Sequence, residues 1–161
     1  MSETASEQWT NTPPRLCGNF VFECMLVFLV AGKTPYKSCG SASGKLLNVT
    51  VSGCTGNPCI LKKGTDTSFA LGFIAGEDIT AVKAVVHGII SGIPIPFPIP
   101  NADGCKNSNL VCPLKSGQTY LYKDAIPVAA SYPSIRLVVK WELEDENGKD
   151  IVCIEVPVQI E

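Results

Sequence analysis

The stretch Ile135-Arg136-Leu137-Val138-Val139-Lys140-Trp141-Glu142-Leu143-Glu144 decides the fold. Its odd positions are all apolar, and its even positions are charged except Val138. A period of two puts successive side chains on opposite faces, so this is a long strand buried on one side. Asp145-Glu146-Asn147-Gly148 follows as a hairpin turn. The chain returns over residues 151–160, where Val152, Ile154, Val156, Val158 and Ile160 form the apolar row. Working outward, residues 80–90 read as another strand, with Val82, Ala84, Val86 and Ile90 on one face. Shorter strands are expected at 46–51, 68–73 and 120–127. We find no convincing amphipathic helix, internal repeat, linker or second domain. About seven strands between Gly-, Pro- and Asn-rich turns predict an all-β protein, an immunoglobulin-like antiparallel β-sandwich.

Composition agrees and excludes several functions. Of 161 residues, 45% are hydrophobic and 17% charged, against roughly 25% charged in an average globular protein. Disorder is excluded, because there is ample apolar surface to bury. The net charge of −2 argues against a nucleic-acid partner, which calls for a basic face. The single His removes every mechanism or metal site that needs two imidazoles. Eight Cys in so short a chain point to an oxidising compartment.

Residues 1–19 are polar, and residues 20–32 (FVFECMLVFLVAG) are apolar. Thirteen residues are too few to span a bilayer, and Glu23 interrupts them. The length suits a secretory signal, with small residues for cleavage at Val30-Ala31-Gly32. The long head, with Glu3 and Glu7 against only Arg15, departs from the usual form. We read 1–32 as a leader with a signal peptide and 33–161 as the mature domain. Cys17 and Cys24 fall in the leader, which leaves an even six from Cys39 onward.

Six cysteines allow 15 pairings. Cys54-x4-Cys59 and Cys105-x6-Cys112 are natural local loops, which leaves Cys39 and Cys153 to tie the two ends of the domain. Zinc is the rival reading, but no tight C-x2-C knuckle is present, and no metal is expected. Asn48-Val49-Thr50 is a sequon that predicts a surface glycan at Asn48 in a secreted chain. No catalytic constellation appears. His87 points away from Val86 and Ile90 by strand parity, and no G-x-S-x-G elbow accompanies it. Glu142, Glu144, Asp145 and Glu146 lie at a hairpin and read as a solvated turn. No phosphate-cradling loop, H-E-x-x-H or calcium loop is present. We expect no enzyme activity and no cofactor.

One segment is unusual: Gly92-Ile93-Pro94-Ile95-Pro96-Phe97-Pro98-Ile99-Pro100. A proline at every second position removes half the amide donors and forbids a central strand. The chain must run extended, with Ile93, Ile95, Phe97 and Ile99 on one side. Such a strip fits the wall of a cavity for an apolar ligand, or equally a loop plugging one end of the sandwich.

These residues resemble a known family. Lys83-Ala84-Val85-Val86-His87-Gly88-Ile89-Ile90, the proline strip and Asp103-Gly104-Cys105-Lys106 closely resemble the Niemann-Pick type C2 sterol-carrier proteins of the ML lipid-recognition family. Cys39-Gly40-Ser41, the C-x4-C at Cys54 and Cys59, Pro127-Val128, Tyr132-Pro133-Ser134-Ile135, Trp141 and Glu155-Val156-Pro157-Val158-Gln159-Ile160 extend the resemblance over residues 37 to 160. It implies a sandwich opened between its sheets around an apolar pocket for cholesterol or a related sterol. It implies the pairs Cys39–Cys153, Cys54–Cys59 and Cys105–Cys112. The family's mouth phenylalanine falls on Phe97, with Val128, Tyr132 and Pro133 beside it. Further wall positions fall on Ile95, Val49, Leu61, Ile126 and Trp141, and the family glycan on Asn48. The implied protein is a monomer of the extracellular fluid and the lysosomal lumen. It would touch anionic membranes transiently and hand sterol to a lysosomal membrane sterol transporter. The alternatives are an adaptor of innate immunity presenting a microbial lipid, or a carrier of another lipid or chemical signal. A lipid hydrolase is the weakest reading.

Overall fold

The structure is a computed structural model that describes residues 34–161. The expected leader, with Cys17 and Cys24, lies outside the described residues. Nine strands form two sheets, and the described residues contain no helix. The larger sheet runs β1 (Lys37–Gly40), β9 (Asp150–Ile160), β8 (Arg136–Glu144), β5 (Lys83–Ile90), β6 (Ile93–Pro96). A short β3 (Cys59–Leu61) also pairs with β9, in parallel. The smaller sheet runs β2 (Gly44–Val51), β4 (Thr65–Ala75), β7 (Thr119–Val128). The fold is therefore the expected all-β sandwich.

The β8–β9 hairpin forms where the alternation placed it, with Trp141 opposite Ile154 and Val139 opposite Val156. Its turn is held by Asp145, whose Oδ1 accepts the N–H groups of Asn147 and Lys149, each at 2.9 Å. Gly148 supplies the positive φ of 79° that the turn needs. The inward rows of the two sheets meet in an aromatic core. Phe69 lies 4.8 Å from Trp141 between ring centroids, and Tyr122 meets Trp141 edge-on at 6.0 Å. All three rings are fully buried.

Two expectations are corrected. Nine strands stand in place of about seven, because β1, β3 and β6 have only three or four residues each, too few to display a period of two. The strand expected from residue 80 begins at Lys83. Upstream, the backbone is engaged elsewhere: Thr80 N–H donates to Glu146 Oε1 at 3.0 Å, and Ile79 bridges to Leu114.

Among the described residues, three disulfides join Cys39 to Cys153, Cys54 to Cys59 and Cys105 to Cys112. The first staples β1 to β9 across 114 residues of sequence. The proline strip begins as β6, the outermost strand of its sheet, pairing among the described residues only with β5. That is the position in which a strand can lack donors.

Candidate functional site

Between the sheets, beneath β7, lies a cavity of about 50 Å³ whose wall presents no polar surface. The larger sheet contributes Val86 and Gly88 from β5, Leu137 and Val139 from β8, Val158 and Ile160 from β9 and Leu61 from β3. The smaller sheet contributes Ile126 and Val128 from β7. Phe97 and Tyr132 close the set from the connecting loops, edge to face with ring centroids 6.0 Å apart. Phe97, Tyr132 and Leu137 are only half-buried, whereas Val86, Ile126, Val128, Val139 and Val158 are buried. The mouth is therefore at the Phe97–Tyr132 pair. His87 also borders the cavity. Since Val86 faces inward, alternation turns the imidazole outward, and the wall there is main chain.

Each wall element has a local cause. Phe97 N–H donates to the Val86 carbonyl at 2.9 Å, which carries the proline strip one residue past β6 and turns the Phe97 ring over the opening. Gly88 leaves the wall bare: a Cβ there would stand 3.0 Å from Leu137 Cδ1. Tyr132 N–H donates to the Ala129 carbonyl at 3.1 Å in a tight turn after β7.

The structure brings together Phe97, Val128, Tyr132, Leu61 and Ile126 of the residues named from sequence. It places the other four elsewhere. Ile95 is 47% exposed on β6, as Ile93 is at 63%, because the smaller sheet does not cover this outermost strand. Val49 is buried on β2, at the far edge of the smaller sheet from β7. Pro133 is exposed. Trp141 is packed solid between Phe69 and Tyr122 behind the cavity. Sequence reasoning missed Val86, Gly88, Leu137, Val139, Val158 and Ile160 as wall. The signal was the strand parity itself, since all six share inward rows near the proline strip.

Asn48 is exposed on β2, its side chain lying across the bare backbone of Gly72, where a Cβ would come within 2.8 Å of Oδ1. Among the described residues, one trio could offer metal ligands: Glu142, Asp150 and Cys153. Cys153 is committed to its disulfide, which removes the thiolate.

The geometry agrees with comparisons to known proteins. The ML domain family matches residues 33–160. The Drosophila melanogaster protein named NPC intracellular cholesterol transporter 2 homolog a is 44% identical over 143 residues, covering 88% of this chain and 97% of its own. The Mus musculus NPC intracellular cholesterol transporter 2 is 46% identical over 125 residues, covering 78% of this chain and 83% of its own. The crystal structure of a Niemann-Pick type C2 protein from Japanese carpenter ant superposes with a TM-score of 0.75 at 27% identity, covering 79% of this chain and 99% of its own. This chain belongs to the ML domain family.

Proposed function

We propose that this chain is a non-enzymatic carrier that holds cholesterol or a related sterol between its sheets and releases it to a membrane or an acceptor transporter. The observation that carries this reading is a wall without polar surface behind an aromatic mouth. A sterol is almost entirely hydrocarbon, so such a wall leaves none of its surface facing an unpaired polar group. The relatives named as cholesterol transporters support the same reading. Burying on the order of 500 Å² of ligand surface contributes roughly 12 kcal/mol gross. Lost motional freedom offsets several kcal/mol of that, leaving micromolar to sub-micromolar binding. Ligand pockets are roughly 300–1,000 Å³, so this cavity of about 50 Å³ must open as the sterol enters. The apolar side chains facing each other across it can separate without breaking a hydrogen bond within either sheet.

The cysteine content and the expected leader support a secreted protein of the extracellular fluid and the lysosomal lumen, glycosylated at Asn48. In the same reading it works as a monomer, touches anionic membranes transiently and delivers to a lysosomal membrane sterol transporter. Binding of radiolabelled cholesterol to the secreted chain tests the proposal. One sterol per chain at micromolar concentration or tighter is expected. No saturable binding, with no lipid recovered by organic extraction of the purified protein, would refute it.

A further inference from the structure

A cavity of about 50 Å³ cannot hold a sterol, so part of its wall must give way. The wall residues differ in how far they can move. Val86, Ile126, Val128, Val139, Val158 and Ile160 are β-branched and buried. Their χ1 is stiff, and close-packed neighbours leave them no second position. Leu61 is also buried. Phe97 and Tyr132 are set against each other at the mouth. Among the aliphatic wall side chains, Leu137 alone combines two rotatable side-chain torsions with solvent on one side, being only half-buried. Its backbone cannot follow, because β8 is paired on both sides, with Leu137 opposite Val158 and Val138 opposite Ile89. Any movement there is a movement of the side chain.

Leu137 lies over Gly88. A Cβ on Gly88 would stand 3.0 Å from Leu137 Cδ1, and among the described residues no other heavy atom beyond Gly88's own chain neighbours comes within 4 Å of that point. Turning Leu137 toward solvent would therefore uncover a patch of bare β5 backbone in the cavity wall. We propose that Leu137 is a movable plug, folded down on Gly88 in the empty protein and turned aside by the ligand. The flat face of the sterol then packs on the glycine that Leu137 leaves. This deepens the carrier reading and rests on it. A fused-ring face suits that berth because only main chain lies beneath it, whereas a side chain at residue 88 would hold the ring away. Plug and wall have opposite signs. A wall side chain adds contact, so cutting it back weakens binding, as expected of Phe97. A plug competes with the ligand, and apparent affinity is reduced by the fraction of protein that is not ready to bind. Cutting a plug back therefore strengthens binding.

The test is equilibrium binding of a fluorescent sterol to wild type, Leu137→Ala, Leu137→Val and Gly88→Ala, each checked for its fold by circular dichroism. Both Leu137 variants leave a side chain too short to cover Gly88. Leu137→Val keeps a strand-favouring residue, so it still reads the effect if Leu137→Ala fails to fold. Each should bind sterol at least about threefold more tightly than wild type, because the plugged form is lost. Gly88→Ala puts a methyl group in the berth and should bind about tenfold more weakly. Unchanged or weaker binding by the Leu137 variants, or unchanged or tighter binding by Gly88→Ala, would overturn the plug and leave the carrier intact. Failure of wild type to bind sterol would overturn both.

Discussion

At the scale of single residues, Phe97 is where fold and proposed function meet. Its backbone is fixed by the hydrogen bond to Val86, while its ring is only half-buried and faces Tyr132 across the opening. A ring that closes a cavity contributes contact area to a ligand but little to the packed core. We expect Phe97→Ala to lower sterol affinity at least tenfold while unfolding shifts little, since large-to-small changes cost most where packing is complete. Equal binding of a fluorescent sterol by mutant and wild type would remove Phe97 from the mouth. Gly44 shows the opposite constraint. A Cβ there would lie 2.7 Å from both Cγ2 and the carbonyl oxygen of Ile151 on β9, and the backbone oxygen cannot swing aside as a side chain can. Gly44→Ala is expected to destabilise by roughly 1–3 kcal/mol in denaturant unfolding, with sterol affinity of the folded fraction unchanged. The residue scale is also where the sequence was least legible. Alternation says that Val49, Trp141 and Leu137 all point inward, and they do. It does not say which inward side chains meet a partner and which leave a gap. Trp141 meets Phe69, whereas Leu137 borders the cavity, and only the opposing sheet decides that.

At the scale of elements, the β8–β9 hairpin was legible because its strands run nine and eleven residues, long enough for the period to repeat. β6 was legible as non-central from its prolines, yet the exposure of Ile93 and Ile95 was not, since its apolar row resembles a buried one. The outward face of the same hairpin carries a testable property. Glu142, Glu144 and Asp150 crowd together there, with Lys140 nearby, and the Asp150 carbonyl accepts the Ala42 and Ser43 N–H groups at 2.7 and 3.1 Å. Burial first, then the hydrogen bond and charge of Glu142 and the charge of Glu144, outweigh Lys140 and push the Asp150 carboxyl up to about 7. An Asp in the unfolded chain titrates near 3.8. Between those values the folded protein holds a proton that the unfolded chain has lost, so stability must fall as pH rises through that window. The melting temperature should therefore be higher at pH 5 than at pH 8. Glu142→Gln should flatten the dependence by removing the facing charge. A variant with the wild-type slope would show that Glu142 is not the cause.

At the scale of the whole molecule, two properties belong to no single element. The first is the closure of the domain by Cys39–Cys153, 114 residues apart. In the chain-entropy model a loop of about 100 residues contributes roughly 4.7 kcal/mol. Replacing both cysteines by Ser should cost several kcal/mol of unfolding free energy while leaving the cavity residues in place. The second is net charge. Under the proposed removal of residues 1–32, which hold Arg15, Glu3, Glu7 and Glu23, twelve basic and twelve acidic residues are left, a balance near zero. Near pH 5 the carboxylates begin to take up protons while Lys and Arg stay charged, so the protein becomes net positive. Asp150, titrating near 7, is neutralised before the rest. The cavity wall, by contrast, presents no polar surface, so binding inside it should be nearly independent of pH. Charge on the surface should then govern delivery. An anionic bilayer attracts a cationic protein with an energy that salt screens over about 10 Å at 0.1 M. Sterol transfer to anionic vesicles is therefore expected to be faster at pH 5 than at pH 7, with the difference blunted by high salt and absent for neutral vesicles. Stopped-flow transfer at two pH values, two ionic strengths and two vesicle compositions measures it. Rates indifferent to all three would eliminate electrostatic delivery, and a pH effect that persisted on neutral vesicles in high salt would place the titrating step inside the protein instead.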